Sequence, residues 1–517
     1  MITIRLSCWV GFISEKKDQV FAKKGKYDAD DIPAATQIFT PNWIVKYMVQ
    51  NTIGGVLGGK EMLPENHRKY YVDTPEEPTA ICHDIEDMKV ADLACGSGHI
   101  LNECFDVLYD LYISEGYTRR EAIECIFTKN LTGIDIDTRA KQLATFALML
   151  KACQRDSSLV DASLMPRVYD MSGMPEESRE LGSIQIFNKP NSENPVIAAL
   201  STQYDAIVMN PPYMPTNKID VLSHYVNKHY KEGKADMFAV FMMVCMERLR
   251  EGGRMGMINM QSWMFLSSFE ALRKLFLKEY TLSSMLHLGP RTFDELSGEV
   301  VQNTAFVFEK LKPTEEASGV YYRLVDGKNC ADKERMFLAE ENRYDVPQSN
   351  FEKIPGSPFG YWVSEKMIEA FHADNLMSNK AIARSGFSTG DNTKFTRFWH
   401  EVAFDKIGFN LDNNDSFTNS SYKFVPYTAG GGFRRWYGNL DSIVDWRKRD
   451  EMHRPRTTYM NLYYKPAITW NAITSGKISC RCYGNGFLFE HAAATMFVNE
   501  GEDYRDFLAY LNSNIFQ

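Results

Sequence analysis

The chain has 517 residues, 44% hydrophobic and 24% charged, with a formal net charge of −9, a balance that suits roughly two to four globular domains and excludes a fibrous or disordered polymer. Its ten cysteines lie without C-x-x-C spacing, which favours a reduced, cytoplasmic protein over a disulfide framework or a zinc site. The average charge hides a gradient: residues 421–481 carry 11 Lys and Arg against 4 Asp and Glu, interleaved with 11 aromatic residues, and local sign decides whether a polyanion binds.

The opening MITIRLSCWVGFI is too short to span a bilayer, contains Arg5 and lacks a small-residue cleavage site, so it is read neither as a membrane span nor as a signal peptide. Thr40-Pro41-Asn42 starts a helix that two Gly-Gly pairs are expected to end. MKVADLACGSGHILNECFDVLYDLYI then reads as a short buried strand, a glycine turn and a helix. NLTGIDIDTRAKQLATFALMLKAC repeats that plan, with a strand ending at Asp135 and a helix from about Thr138. PRVYDM and YDAIVMN are further strands, ADMFAVFMMVCMERLREGGRMGMINM is a helix and a strand, and LSSMLHLG and NTAFVFEKL are expected to be the last two strands.

Strands alternating with amphipathic helices predict a doubly wound, mostly parallel α/β sheet over residues 36–312. The Pro-rich stretch 313–380 is read as a connection. Residues 381–517, with short strands and Gly/Asn-rich turns, are read as a second domain, mixed or mainly β.

In such sheets ligands bind beyond the carboxyl ends of the strands, near the point where strand order reverses. Asp92 closes the first strand, and Gly96 and Gly98 let a ligand approach the backbone ahead of a helix N-terminus. The position three after Gly98 is Leu101, so the turn departs from the dinucleotide fingerprint G-x-G-x-x-G. Asp135 closes the second strand, where a carboxylate can accept both hydroxyls of a ribose. Asp170 closes the third and can accept from an adenine amine. Taken singly, each acid fits a solvated strand end; three at successive strand ends behind a glycine turn point to a nucleoside-bearing ligand.

Asn210-Pro211-Pro212-Tyr213 ends the fourth strand beside the same cavity. The amine of a base is a poor nucleophile because its lone pair is delocalised into the ring. Asn210 and the Pro211 carbonyl can each accept one of its N–H groups and localise that lone pair, Pro212 fixes the turn, and Tyr213 offers a face for the base. No candidate metal cluster accompanies them.

FTP (Phe39, Thr40, Pro41), DLACGSG, GIDID and NPPY, in this order, resemble the gamma group of S-adenosylmethionine-dependent methyltransferases acting on N6 of adenine in DNA. The resemblance implies that Phe39, Thr40 and Pro41 border the cofactor. It further implies that Asp92, Ala94, Gly96 and Gly98 hold the amino-acid end, Asp135 the ribose and Asp170 the adenine. It also points to Phe293, in a loosely matched later motif, as a second stacking partner for a flipped base. SGFSTGDNTKFTRFWHEV and FVPYTAGGGFRRWYGN resemble the PglX group of BREX phage-defence methyltransferases, and type IIG restriction–modification enzymes have related stretches. The implied partner is double-stranded DNA, contacted by Arg434, Arg435 and Trp436, with further subunits of a defence system and no membrane or metal. Both groups are usually much longer, so a fragment is expected, with residues 1–35 as the stump of an upstream region and 381–517 as a target-recognition domain, complete or not. The alternatives are a DNA-binding scaffold without turnover, or methylation of cytosine N4, RNA or a protein glutamine.

Overall fold

The computed structural model describes residues 40–160, 164–293, 301–371, 376–474, 477–514 and 516. The expected stump 1–35, and Phe39 with it, lie outside the described residues. The chain divides into two compact units, one through Phe371 and one from His372.

The first unit is built on a nine-stranded sheet in the order β3-β2-β1-β4-β5-β7-β6-β8-β9. The strands are β1 (Val90–Asp92), β2 (Leu131–Ile134), β3 (Arg167–Tyr169), β4 (Tyr204–Met209), β5 (Leu249–Met260), β6 (Thr281–Gly289), β7 (Asn303–Glu309), β8 (Ser318–Arg323) and β9 (Arg343–Pro347). Strands β1 to β5 run parallel, whereas β7 pairs antiparallel with both β5 and β6. Side chains alternate across a strand, and the sheet therefore divides two cores. Val90, Val208, Ile258, Leu286 and Val307 pack into one. Their neighbours Ala91, Ile207, Met257, Met285 and Phe306 pack into the other. This is the architecture expected of a Rossmann-like methyltransferase fold.

Two expectations are corrected here. Residues 313–371 do not merely connect, because β8 and β9 extend the sheet beyond β6. Their short apolar runs, flanked by prolines and turns, hide the strand period. The first Gly-Gly pair does not stop the first helix either. Helix α1 (Asn42–Leu57) runs through Gly54 and Gly55 and ends at Gly58, in the left-handed region. A Cβ at Gly55 would fall 2.2 Å from the Arg254 guanidinium, which is buried against Glu309 at 2.7 Å. A Cβ on Gly256 of β5 would in turn meet the Met48 carbonyl at 3.1 Å. These glycines serve close packing of α1 on β5.

Helices α2 (His99–Ser114) and α3 (Thr138–Arg155) cover the same face as α1. Leu101 of α2, where a dinucleotide site would have glycine, is fully buried, and Gly133 of β2 makes room for it. Helix α4 (Met237–Arg248) covers the other face.

The second unit holds two four-stranded sheets, β10-β17-β14-β15 and β11-β13-β12-β16. Their strands are β10 (Ala381–Arg384), β11 (Thr396–Phe398), β12 (Phe424–Thr428), β13 (Ser442–Asp445), β14 (Ala467–Asn471), β15 (Arg481–Tyr483), β16 (Leu488–Phe489) and β17 (Ala493–Val498). An amphipathic helix, α5 (Tyr504–Leu511), buries Leu508 and Leu511 against Ile468 and Met496. Phe507, Leu508 and Leu511 stand at helical spacing within it. Among the described residues no helix is long and apolar enough to cross a membrane.

Gly98 precedes α2 at φ +81, and a Cβ there would lie 2.8 Å from the Ala144 Cβ and 2.9 Å from its Cα on α3. Gly98→Ala should therefore cost at least about 1–2 kcal/mol from left-handed backbone alone, and more from the α2–α3 clash. An unchanged urea midpoint would refute that packing.

Candidate functional site

Strand order reverses between β1 and β4, which pair in parallel with Val90 opposite Ala206 and Ala91 opposite Ile207. That register brings the ends of β1, β2 and β4 to one cavity. Asp92, Ala94, Gly96 and Asp135 line it, together with Thr40, Asn210 and Pro212.

The turn after β1 is held by its own acids. Asp92 Oδ1 accepts from the Ala94 N–H at 3.1 Å. Both Asp135 oxygens are aligned by backbone donors, Oδ2 by Gly96 N–H at 2.8 Å and Oδ1 by Asp137 N–H at 2.9 Å. A carboxylate offers about four acceptor positions, so room remains for a ligand hydroxyl. Burial pushes the Asp135 carboxyl up to about 6. Burial, together with the nearby Asp135 charge, drives Asp92, only 1% exposed, well above its ordinary value. Among the described residues neither acid forms an ion pair. A cavity floor with two carboxyls whose charge burial opposes suits a ligand that brings positive charge of its own.

The Asn210–Tyr213 loop is tied down from several sides. Asn210 Nδ2 donates to Thr40 Oγ1 at 3.1 Å. The Tyr213 hydroxyl donates to the Ile258 carbonyl at 3.2 Å, and its ring meets Phe238 edge-on. Asp236 accepts from Met214 N–H at 2.9 Å and from Phe238 N–H at 3.3 Å, so one carboxylate both caps α4 and anchors the loop. The Met214 carbonyl accepts from Met237 N–H in return. Pro211 is buried and Pro212 and Tyr213 are half-buried, and of the four expected residues Asn210 and Pro212 line the cavity while Pro211 and Tyr213 do not.

Several expected site residues stand elsewhere. Gly98 does not line the cavity; its missing side chain is required by Ala144. Pro41 flanks α1 and is also not part of the lining. Asp170 accepts from the Ser172 N–H and hydroxyl, with Lys141 3.4 Å away. Burial opposes its charge, but these contacts hold its carboxyl below its ordinary value, and it lies outside the lining. Phe293 is buried in the core shared with Leu286, Leu288 and Ala305, again outside the lining. A phenylalanine ahead of a polar run of sequence satisfies the motif equally well as a core side chain.

The lining also includes residues that the sequence did not single out. His99 faces the cavity, and Glu180, Gly182 and Ser183 form a further wall. That wall is held by Arg248, which donates to the Ser183 carbonyl at 2.8 Å, and by Ser183 Oγ, which donates to the Leu93 carbonyl at 2.6 Å. No local pattern marks these residues, because the contacts join positions 65 and 90 apart in the chain. Among the described residues no group of three or more His, Cys, Asp or Glu is placed to hold a metal.

In the second unit the basic aromatic segment splits in two. Trp446, Tyr463 and Tyr464 are core residues, Arg447 donates to backbone carbonyls through all three guanidinium nitrogens, and buried Arg481 donates to the Ala429 carbonyl through one. The loop around 433–437 is the exposed part. Phe433, Trp436 and Tyr437 are 56%, 52% and 69% exposed, Arg434 is exposed, and the Arg435 guanidinium sits 5.6 Å from the Phe433 ring centre. Trp436, at φ +73, is held there by backbone bonds to Cys480 and Cys482. Exposed aromatics beside arginines make a surface on which bases can stack.

Residues 129–293 match the family described as Eco57I restriction-modification methylase. The chain is 37% identical over 597 residues to the adenine-specific methyltransferase PglX of Lacticaseibacillus casei (strain Zhang), covering 97% of this chain and 49% of that protein. It is 30% identical over 610 residues to the adenine-specific methyltransferase BrxX of Escherichia coli O9:H4 (strain HS), with the same coverage of each. The chain thus spans about half the length of the curated relatives it matches. Among solved structures, a nuclease-deletion mutant of the Type ISP restriction-modification enzyme LlaGI, in complex with a DNA substrate mimic, superposes with a TM-score of 0.54. It is 12% identical, over 91% of this chain and 43% of that one, a likeness of fold alone.

The double use of Asp236 generates a test of the loop. Asp236→Ala should cost about 0.5–2 kcal/mol, the range for a lost helix cap, and expose the amide of Met214 to exchange. Asp236→Asn, which can still accept, should cost less. Equal urea midpoints for the alanine variant and wild type would remove the anchor role.

Proposed function

The chain is a homologue of the PglX and BrxX adenine-specific methyltransferases, spanning about half their length, and on that footing we propose that it transfers a methyl group from S-adenosylmethionine to N6 of an adenine flipped out of double-stranded DNA. The observation that carries this reading is the juxtaposition at the switch point: two acids that form no ion pair among the described residues, Asp92 buried and Asp135 half-buried, line one cavity with Asn210 and Pro212. S-adenosylmethionine brings a sulfonium and an ammonium group, the positive charge that floor calls for, and supplies an electrophilic methyl group. Asp92 and the 94–97 backbone would hold its amino-acid end and Asp135 its ribose, while the Glu180–Ser183 wall would border the remainder.

The work of the chain's own residues is positioning. Flipping a base costs a few kcal/mol, which the pocket offsets by stacking and hydrogen bonding. Tyr213 would give the base a face. Asn210 and the Pro211 carbonyl would accept the two amine protons, which concentrates the lone pair on nitrogen and points it at the methyl group. The exposed 433–437 loop of the second unit would contact DNA. A place in phage defence or restriction–modification follows from the names of the relatives and belongs to the same proposal.

Calorimetry with S-adenosylmethionine should detect binding, and Asp135→Ala should weaken it by about 1.5–3 kcal/mol. Because the folded-state Asp135 carboxyl titrates near 6, affinity should fall as pH drops through that value, where protonation removes an acceptor. The effect on the cofactor-free fold has the opposite sign: stability from this group is greatest below the ordinary carboxyl pKa and is lost as pH rises through about 6. Wild-type affinity in a folded Asp135→Ala protein would remove the ribose assignment.

Asn210→Ala should leave cofactor affinity near wild type while single-turnover transfer to DNA falls by about 100-fold or more. Tyr213→Phe should be mild and Tyr213→Ala severe, since the ring matters more than the hydroxyl. For the second unit, Arg434→Ala should flatten the dependence of log affinity on log salt by about one unit. An identical slope would return Arg434 to a solvated surface role.

A further inference from the structure

Thr40 lies 170 residues before Asn210 in the chain, yet its buried hydroxyl is the group to which the Asn210 amide nitrogen donates, at 3.1 Å. It does not cap α1, whose N-terminal flank is Pro41 with no side-chain cap. The helix that follows it is pressed onto β5 through Gly55 and Gly256. On the other side, the Thr40 carbonyl lies against the imidazole of His99 at the start of α2. Thr40 therefore joins three elements that border the cavity: the start of α1, the start of α2 and the loop after β4.

We propose that Thr40 is a positioning residue that holds the plane of the Asn210 amide by accepting from its nitrogen, which leaves the amide oxygen to meet the amine of the target base. This rests on the methyl-transfer reading above. The chemistry requires such a device. The two ends of an asparagine amide have nearly the same shape, and rotation by half a turn exchanges an acceptor for a donor. Nitrogen facing the target amine would set donor against donor and leave the lone pair delocalised. A hydroxyl can donate or accept; once the amine occupies the Asn210 oxygen, the Thr40 hydroxyl must accept from the nitrogen. Its position keeps the amide plane aligned for that pairing. A hydrocarbon there would leave the amide nitrogen without that acceptor and weaken the hold on the plane.

The test compares Thr40→Val, which keeps the shape and removes the hydroxyl, with Thr40→Ser, which keeps the hydroxyl. In single-turnover methyl transfer at saturating S-adenosylmethionine and duplex DNA, Thr40→Val should be slower by about 10–100-fold, the scale of a misplaced reacting group. Thr40→Ser should recover most of that loss. Cofactor affinity by calorimetry should change much less than the rate. Independently of turnover, 15N-asparagine labelling should show the Asn210 side-chain amide protons, assigned by their loss in Asn210→Ala, exchanging slowly in wild type and Thr40→Ser but fast in Thr40→Val.

A wild-type rate in Thr40→Val would overturn the proposal, as would unaltered amide exchange. A defect confined to cofactor affinity and cured at saturation would also overturn it, making Thr40 a cofactor contact only. Absence of transfer by the wild-type chain would instead strike the functional reading, with the exchange measurement still deciding whether Thr40 holds the amide.

Discussion

The parallel pairing of β1 with β4 is the constraint on which the rest depends. The chain builds β1, β2 and β3 outward in one direction, then returns to lay β4 on the opposite edge of β1. The helix that follows β1 packs on one face and α4, after β4, on the other, so a crevice opens where the order reverses. With Ala91 opposite Ile207, the end of β1 delivers Asp92 and the end of β4 delivers Asn210 to the same crevice. A slip of one residue would turn every side chain of β4 to the other face. Two separate cores, one on each face, hold the register against that slip.

The site is then finished by contacts that do no chemistry. Arg248 reaches under the 182–185 segment and fixes a wall. Asp236 caps a helix and anchors the Asn210–Tyr213 loop in one act. Gly55 and Gly256 let α1 settle on β5 and carry Thr40 to Asn210. Each contact spends a buried polar or small residue to determine where a cavity residue stands. This suits a reaction whose catalysis is positioning rather than covalent participation.

The same economy explains why the acids at the strand ends differ in character. Asp92 and Asp135 lie within the crevice without a cation and are held toward their neutral forms. Asp170, one strand further out, has Lys141 and Ser172 and is held ionised. Equivalent positions on three consecutive strands thus acquire different electrostatics from their distance to the switch point.

What the sequence determined by itself was local and periodic. The strand–turn–helix repeats, the acids at the ends of β1 and β2, the glycine turn and the Asn210–Tyr213 turn all announce themselves within a few residues, because period and turn chemistry are local properties. Only the tertiary structure decided which of those residues share the cavity. Gly98 answers to Ala144 on another helix, the first Gly-Gly pair to Arg254 on a strand some 200 residues away, Asp170 to Lys141, and Phe293 to a core. Strands β8 and β9 escaped notice because a β-strand takes its period from the sheet that receives it, and here that sheet had already been completed earlier in the chain. His99, Ser183 and the Thr40–Asn210 bond carry no signature at all, since long-range contacts between side chains are written in the packing and not in the spacing of letters.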